Sequence, residues 1–259
     1  MSHYFTVILL QPILNLLVWL YGVLPGHDIG FAIIVLTIVI KVILYPFTVS
    51  QIKQQRALQE IQPKIEEIRA RLKDNKDEQA KELMALYSKE KVNPAASCLP
   101  ILIQLPVFLA LYKALSMGLG ALDTNLLYSF VPHPQTINTQ FLSFLDLTKP
   151  SYFLAVAAAL VQFWQTKQIL KPPAATIATP PSEVVKTEGA KDENMAAIMN
   201  KQMTYVMPIV TMVIGFSLPG GLTLYWFVMS VLTVFQQWWL MKKMPPKIVP
   251  QLTTSEPKP

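Results

Sequence analysis

A lysine in the middle of a 21-residue apolar run constrains this chain more than any other feature. The run, IGFAIIVLTIVIKVILYPFTV from Ile29 to Val49, carries Lys41 as its single charge. At about 1.5 Å per residue it is long enough to cross a hydrocarbon core of roughly 30 Å. A cation at that depth costs about 2.5–3.5 kcal/mol on insertion scales. Lysine can snorkel, but about eight residues, or ~12 Å of helix, separate it from the polar start of the next segment. Water or polar side chains are therefore expected to meet it, the alternative being a lysine that merely snorkels. Thr37, Lys41, Tyr45 and Thr48 follow helical spacing, which predicts a polar stripe along one face of this helix.

The chain is 52% hydrophobic and only 15% charged, the profile of an all-α polytopic membrane protein with modest soluble pieces. One cysteine, Cys98, excludes disulfides within the chain and any cysteine-based zinc cluster. His3, His27 and His133 lack metal-ligand spacing, and no phosphate-binding loop, nucleophile elbow or HExxH helix is present. The sequence therefore predicts no enzyme, no catalytic residues, no metal and no cofactor.

The net charge of +6 becomes informative when mapped along the chain. Ten Lys/Arg lie between Lys53 and Lys91, four between Lys171 and Lys201, and four between Lys242 and Lys258. The stretch from Gly118 to Pro150 holds one, Lys149. The positive-inside rule then puts the three basic segments in the cytoplasm and 118–150 outside. The basic balance reflects topology, with anionic lipid and ribosomal RNA as possible contacts and no DNA partner.

Five spans fit this map: 29–49, 96–117, 151–170, 204–219 and 221–241, the last two joined by the tight turn SLPGGL. An odd number places the N-terminus outside and the C-terminus in the cytoplasm. Residues 1–28 are expected to form an N-terminal amphipathic interfacial helix. Phe5 to Leu24 is apolar enough to span, but Gln11, Pro12 and Asn15 break the pattern and Trp19 and Tyr21 end it. In residues 50–95, Leu58, Ile61, Ile65, Ile68 and Leu72 form a narrow apolar seam on a charged helix. After the turn KDNKD, Ala80, Leu83 and Tyr87 share a face, so a cytoplasmic helical hairpin is expected. The loop 171–203 is proline-rich and expected to be flexible, and the tail 242–259 disordered.

Polar residues recur inside the spans. Thr223, Trp226, Ser230, Thr233 and Gln237 step by 3, 4, 3 and 4 on one face of the last. Gln162, Gln165 and Thr166 lie near one end of the third, and Gln104 and Tyr112 in the second. Such groups often hold transmembrane helices together at around 0.6 kcal/mol each. A lysine needs hydration rather than a single amide, however, and no Asp or Glu lies in any span. The set reads as the lining of a wet cavity.

These residues resemble the YidC family of membrane protein insertases, which includes mitochondrial and chloroplast counterparts. The resemblance runs from about Gln11 to Met241 and rests on segments in family order. They are QPILNLLVWLYG, GFAIIVLTIVIKVILYPFT, QIKQQRALQEIQPKI, NPAASCLPILIQLPVFLALY, FWQTK and MPIVTMVIGFSLPGGLTLYW with a trailing QQ. The resemblance implies a five-helix core around a hydrophilic groove, open to cytoplasm and lipid and closed toward the outside. The family places a basic residue there, usually arginine; here the position holds Lys41, which keeps the charge but not the planar fork. By motif, Gln165 and Trp226 take further groove positions.

The expectation that follows is an ATP-independent insertase of the bacterial plasma membrane. Nascent membrane proteins and membrane lipid would be its partners, with the ribosome or a targeting receptor and the Sec translocon beside it. Lys41, Thr37, Tyr45, Gln104, Gln162, Gln165, Thr223, Trp226, Ser230 and Thr233 would line the groove. Lys53, Arg56, Lys64, Arg69, Arg71 and Lys73 would offer the hairpin's contacts. An assembly factor without insertion activity, or a small anion channel or transporter, are the alternatives.

Overall fold

The computed structural model describes residues 3–93, 99–118, 124–132, 134, 136–170 and 202–243. All but the last two residues of the expected flexible loop, nearly all of the expected tail, Cys98 and the first residues of the second expected span lie outside this set. The fold is almost wholly helical, and each helix boundary has a local cause.

Helix α1 (His3–Val23) is continuous but opens with a π-turn over Thr6–Leu10, just ahead of Pro12. Proline lacks the N–H that an α-helical ladder needs, and a π-turn is one way to absorb the gap. The same pairing recurs at Gln202–Val206, a π-turn that leads into α8 (Met207–Gly215), where Pro208 sits in the first turn. Asp28 starts α2 (Ile29–Ile43) by accepting a hydrogen bond from the Gly30 N–H at 2.7 Å.

Pro46 cannot continue α2, so the chain bends by 66° at Leu44 and resumes as α3 (Tyr45–Glu60). The straight helix thus stops short of the boundary expected at residue 49, and its 15 residues cover about 22 Å. A break at Ile61, just ahead of Pro63, separates α3 from α4 (Gln62–Arg71). Asn75 accepts from the Glu78 N–H and starts α5 (Lys76–Lys89), and its side-chain amide donates back to the Glu78 carboxylate at 2.9 Å. Ile61, Ile65, Leu86 and Val92 form a small core between α4 and α5. The pairs Lys64–Glu90 and Arg71–Glu82 run in antiparallel order along the same seam.

The remaining long helices are α6 (Leu99–Gly118), α7 (Tyr152–Leu170) and α9 (Gly220–Lys243). Helices therefore occupy each of the five apolar stretches. By length and apolar composition α1 is long enough to cross a membrane, and the bent pair α2–α3 would count as a second if taken as one span. Polar residues in α7 and α9 lower their mean hydropathy. The main core joins α1, α2, α6, the 124–147 loop and α9 through residues such as Leu14, Leu36, Leu111, Leu147 and Tyr225. Glycine permits two close approaches here. The N–H groups of Gly220 and Gly221 donate to the carbonyls of Lys149 and Leu147 at 2.9 and 3.0 Å. A Cβ on Gly215 would lie 2.8 Å from that of Ala155, so α8 packs against α7 with no side chain between. A two-stranded hairpin, β1 (Gln140–Phe141) and β2 (Leu145–Asp146), caps the N-terminal end of α2.

Candidate functional site around Lys41

Helices α2, α7 and α9 run in parallel. A Cβ on Gly221 would lie 3.2 Å from Ile33, and eight residues further along α2 the Lys41 Nζ donates to the Thr233 Oγ1 at 2.8 Å. Ala155 and Thr223 both flank Gly215. Helices advancing equally from that level bring Gln162 alongside Ser230, and Gln165 alongside Thr233 and Lys41. Thr233 donates onward to the Met229 carbonyl at 2.7 Å, so its oxygen is oriented to accept from lysine. No ion pair forms at Lys41 among the described residues, and one hydroxyl leaves two of its three donors for other partners.

The wall toward the loop end of the bundle is built by α6 and α9. Gln104 donates to the hydroxyl of buried Tyr225, and Trp226 meets the edge of Phe108 with ring centroids 5.7 Å apart. Ser230 is buried beside them in sequence order, one turn before Thr233. Other expected members point their polar atoms elsewhere. The Thr37 hydroxyl donates to the Ile33 carbonyl at 2.6 Å in a fully buried position, and the Thr223 hydroxyl donates to the Pro219 carbonyl at 3.3 Å. Tyr45 lies beyond the Leu44 bend, 42% exposed, so the stripe from Thr37 to Thr48 does not share one helix face. The reason is Pro46, which ends the helix whose periodicity defined the stripe.

The structure adds Gln168 and Gln236 to the expected Gln162 and to Gln237 of the polar stripe. The side-chain oxygens of Gln162, Gln168 and Gln237 and both amide atoms of Gln236 are buried without a protein hydrogen-bond partner. Such atoms cost about 1–3 kcal/mol each unless water or a polar guest satisfies them. Gln237 also lines a water-sized recess with Ile52, Gln55, Arg56, Gln59 and Met241, where α3 crosses α9. The adjacent Gln236–Gln237 pair ahead of two tryptophans was the available sequence signal; which amides lose their partners depends on packing.

The basic residues of the hairpin divide into two groups. Arg56 pairs with Glu60 at 3.4 Å and donates to the Met241 carbonyl at 3.1 Å, tying α3 to the end of α9. Lys64 pairs with Glu90 at 2.6 Å, and Arg71 with Glu82. Lys53, Arg69 and Lys73 make no ion pair among the described residues, and Lys53 is exposed. On the loop at the opposite end, hydrogen bonds from the Thr148 hydroxyl and N–H hold the Asp146 carboxyl below its ordinary range. That group lies outside the site.

Apolar helices that hold Lys41 and several amides among them are the build of a membrane protein. The family model described as 60Kd inner membrane protein matches residues 19–247, and the chain belongs to that family of bacterial inner membrane proteins. The "Membrane protein insertase YidC" of Fusobacterium nucleatum is 33% identical over 216 residues, covering 83% of this chain and 87% of that relative. The Geobacter metallireducens protein of the same name is 32% identical over 90% of this chain, which spans 37% of its length. "Membrane protein insertase YidC 2" of Listeria innocua is 30% identical over 91% of this chain and 70% of that relative. A crystal structure described as active YidC insertase, with its first transmembrane domain resolved, matches with a TM-score of 0.59 at 22% identity. That match covers 92% of this chain and 47% of that one. The likeness is one of fold.

Proposed function

We propose that this chain is an ATP-independent membrane protein insertase. In this reading α2, α7 and α9 carry a hydrophilic groove that receives the short polar flank of a nascent membrane protein. The observation that carries it is Lys41, a cation within an apolar helix held by a single neutral hydroxyl, that of Thr233. A structural lysine would be expected to have a carboxylate; this one keeps its charge available to a guest. An acidic flank entering the groove meets Lys41 and the glutamine amides instead of hydrocarbon, which lowers the desolvation barrier. The apolar segment that follows moves into lipid, where burial at about 25 cal/mol per Å² drives the transfer. A membrane potential positive outside assists an acidic flank by about 2.3 kcal/mol per charge per 100 mV.

The same reading places the 124–150 loop outside and the α4–α5 hairpin in the cytoplasm, with the N-terminus outside and the C-terminus inside. Helix α1 lies along the outer surface. Its support is that Asn15 and Tyr21, about 9 Å apart along the helix, both bond the outer loop. Of the six expected contacts, Lys53, Arg69 and Lys73 are the ones open to a ribosome, a targeting receptor or a Sec translocon, since Arg56, Lys64 and Arg71 already have partners in the chain.

The test is insertion of single-span proteins with acidic, neutral or basic flanks into vesicles holding this protein alone. Faster insertion of the acidic flank, with no nucleotide present, is expected. Equal rates for all three flanks would remove the charge from the mechanism, and no insertion by folded protein would leave an assembly factor.

A further inference from the structure

Three polar side chains at the start of the chain fasten the loop that covers the outer end of the bundle. Asn15, 3% exposed, donates to the carbonyls of Gln11 and Leu126 at 2.7 and 2.8 Å and accepts from the Tyr128 N–H at 2.6 Å. The Tyr21 hydroxyl accepts from the Asn138 N–H at 2.8 Å. Asp28 uses one carboxylate oxygen for the Gly30 N–H and the other for the Leu142 N–H, at 2.7 and 2.8 Å. The four bonds that reach the loop bridge 111 to 117 residues of sequence, and three of them come from its backbone N–H groups.

The loop they hold is packed as a plug. Leu127, Val131 and Leu147 are buried in the main core with residues of α1, α2, α6 and α9. The Leu147 and Lys149 carbonyls take the first two N–H groups of α9. Thr223, Tyr225, Thr233 and Lys41 follow in that order along α9 and its neighbour α2. Apolar side chains alone would let the loop slide, because burial is non-directional. Hydrogen bonds to its backbone fix its position.

We infer that Asn15, Tyr21 and Asp28 are positioning residues that hold the 124–142 loop closed over the groove, so that the N-terminal helix maintains the outer seal. The inference rests on the orientation given under Proposed function. It also explains why an otherwise apolar helix carries Asn15 and Tyr21 at these positions.

The test uses the full chain in sealed vesicles, with Cys98→Ser and a Lys41→Cys reporter, and a membrane-impermeant thiol reagent added to one side at a time. Thr136→Cys, at an exposed loop position, reports which side the loop faces. Asparagine at position 28 turns one of the two accepting oxygens into an NH2 donor, so one of the two N–H groups loses its partner. With Asn15→Ala and Asp28→Asn combined, the reporter is expected to react from the outside at least ten-fold faster than with the anchors intact. Tyr21→Phe should give a smaller increase in the same direction. An unchanged rate from the inner side shows that the fold is kept. If exchange at the Tyr128 and Leu142 amides accelerates while the reporter stays protected from outside, the seal does not depend on these anchors and the inference fails alone. If Thr136→Cys reacts only from the inner side, the orientation fails and takes the inference with it.

Discussion

Replacing Gly215 with alanine tests how closely the wall beside the groove is packed. The new Cβ would stand 2.8 Å from the Ala155 Cβ. Carbon atoms sit about 3.5–4.0 Å apart in ordinary contact, so α8 must back away from α7 by roughly 1 Å. Overpacking of this kind costs about 1–3 kcal/mol. Alanine's better helix propensity offsets at most about 1 kcal/mol, and less at the last residue of a helix. A net loss of about 1–2 kcal/mol is expected, read by equilibrium unfolding in mixed micelles. The decisive variant is the double one. Ala155→Gly removes the atom that Gly215→Ala strikes, so the pair should be more stable than the sum of the single losses by about 1 kcal/mol or more. The Thr223 methyl, at 3.8 Å, is already an ordinary contact and needs no relief. Additive losses in the double variant would refute the close contact and the α7–α8 packing built on it.

Three further outcomes follow from named contacts. Tyr225→Phe removes the acceptor of Gln104 and leaves an amide half-buried, so a stability loss of about 1 kcal/mol is expected by the same unfolding assay. Reversing Lys64 to Glu should loosen the hairpin, and adding Glu90→Lys should restore it; the partly exposed pair is worth less than about 1 kcal/mol, so hydrogen exchange in α4 and α5 is the suitable readout. Asp146 has a lowered pKa, so its bonds to Thr148 stabilise the loop above the ordinary carboxylate range and are lost as pH falls through the lowered value. Thr148→Val should raise that pKa toward the ordinary one, measured by NMR titration of the carboxyl carbon.

Much of the helical layout could be read directly, because apolar runs, prolines and the charge map each have a local physical meaning. Pro46 already signalled a bend within the first run, but the unbroken spacing from Thr37 to Thr48 concealed it. Lys41 stood out because charge in an apolar run is costly wherever the chain folds. The threonines did not separate into groove and backbone roles, since a hydroxyl in a helix can always turn to the carbonyl four residues back, as Thr37 and Thr223 do. Arg56 looked like its neighbours Lys53 and Lys64, and only tertiary packing pairs it with the Met241 carbonyl, 185 residues away. The Asn15 and Tyr21 anchors were visible as breaks in an apolar helix. Their partners are backbone groups of a distant loop, which no side-chain pattern encodes.

Insertion of a short, acidic-flanked single-span protein into vesicles holding wild type, Lys41→Arg or Lys41→Leu tests the central claim most directly. A positive charge beside Thr233, whatever its shape, should suffice, so the wild type and Lys41→Arg are expected to insert the substrate and Lys41→Leu to lose most of the activity. Equal insertion by all three would contradict the account and leave Lys41 as a lysine that only reaches for water.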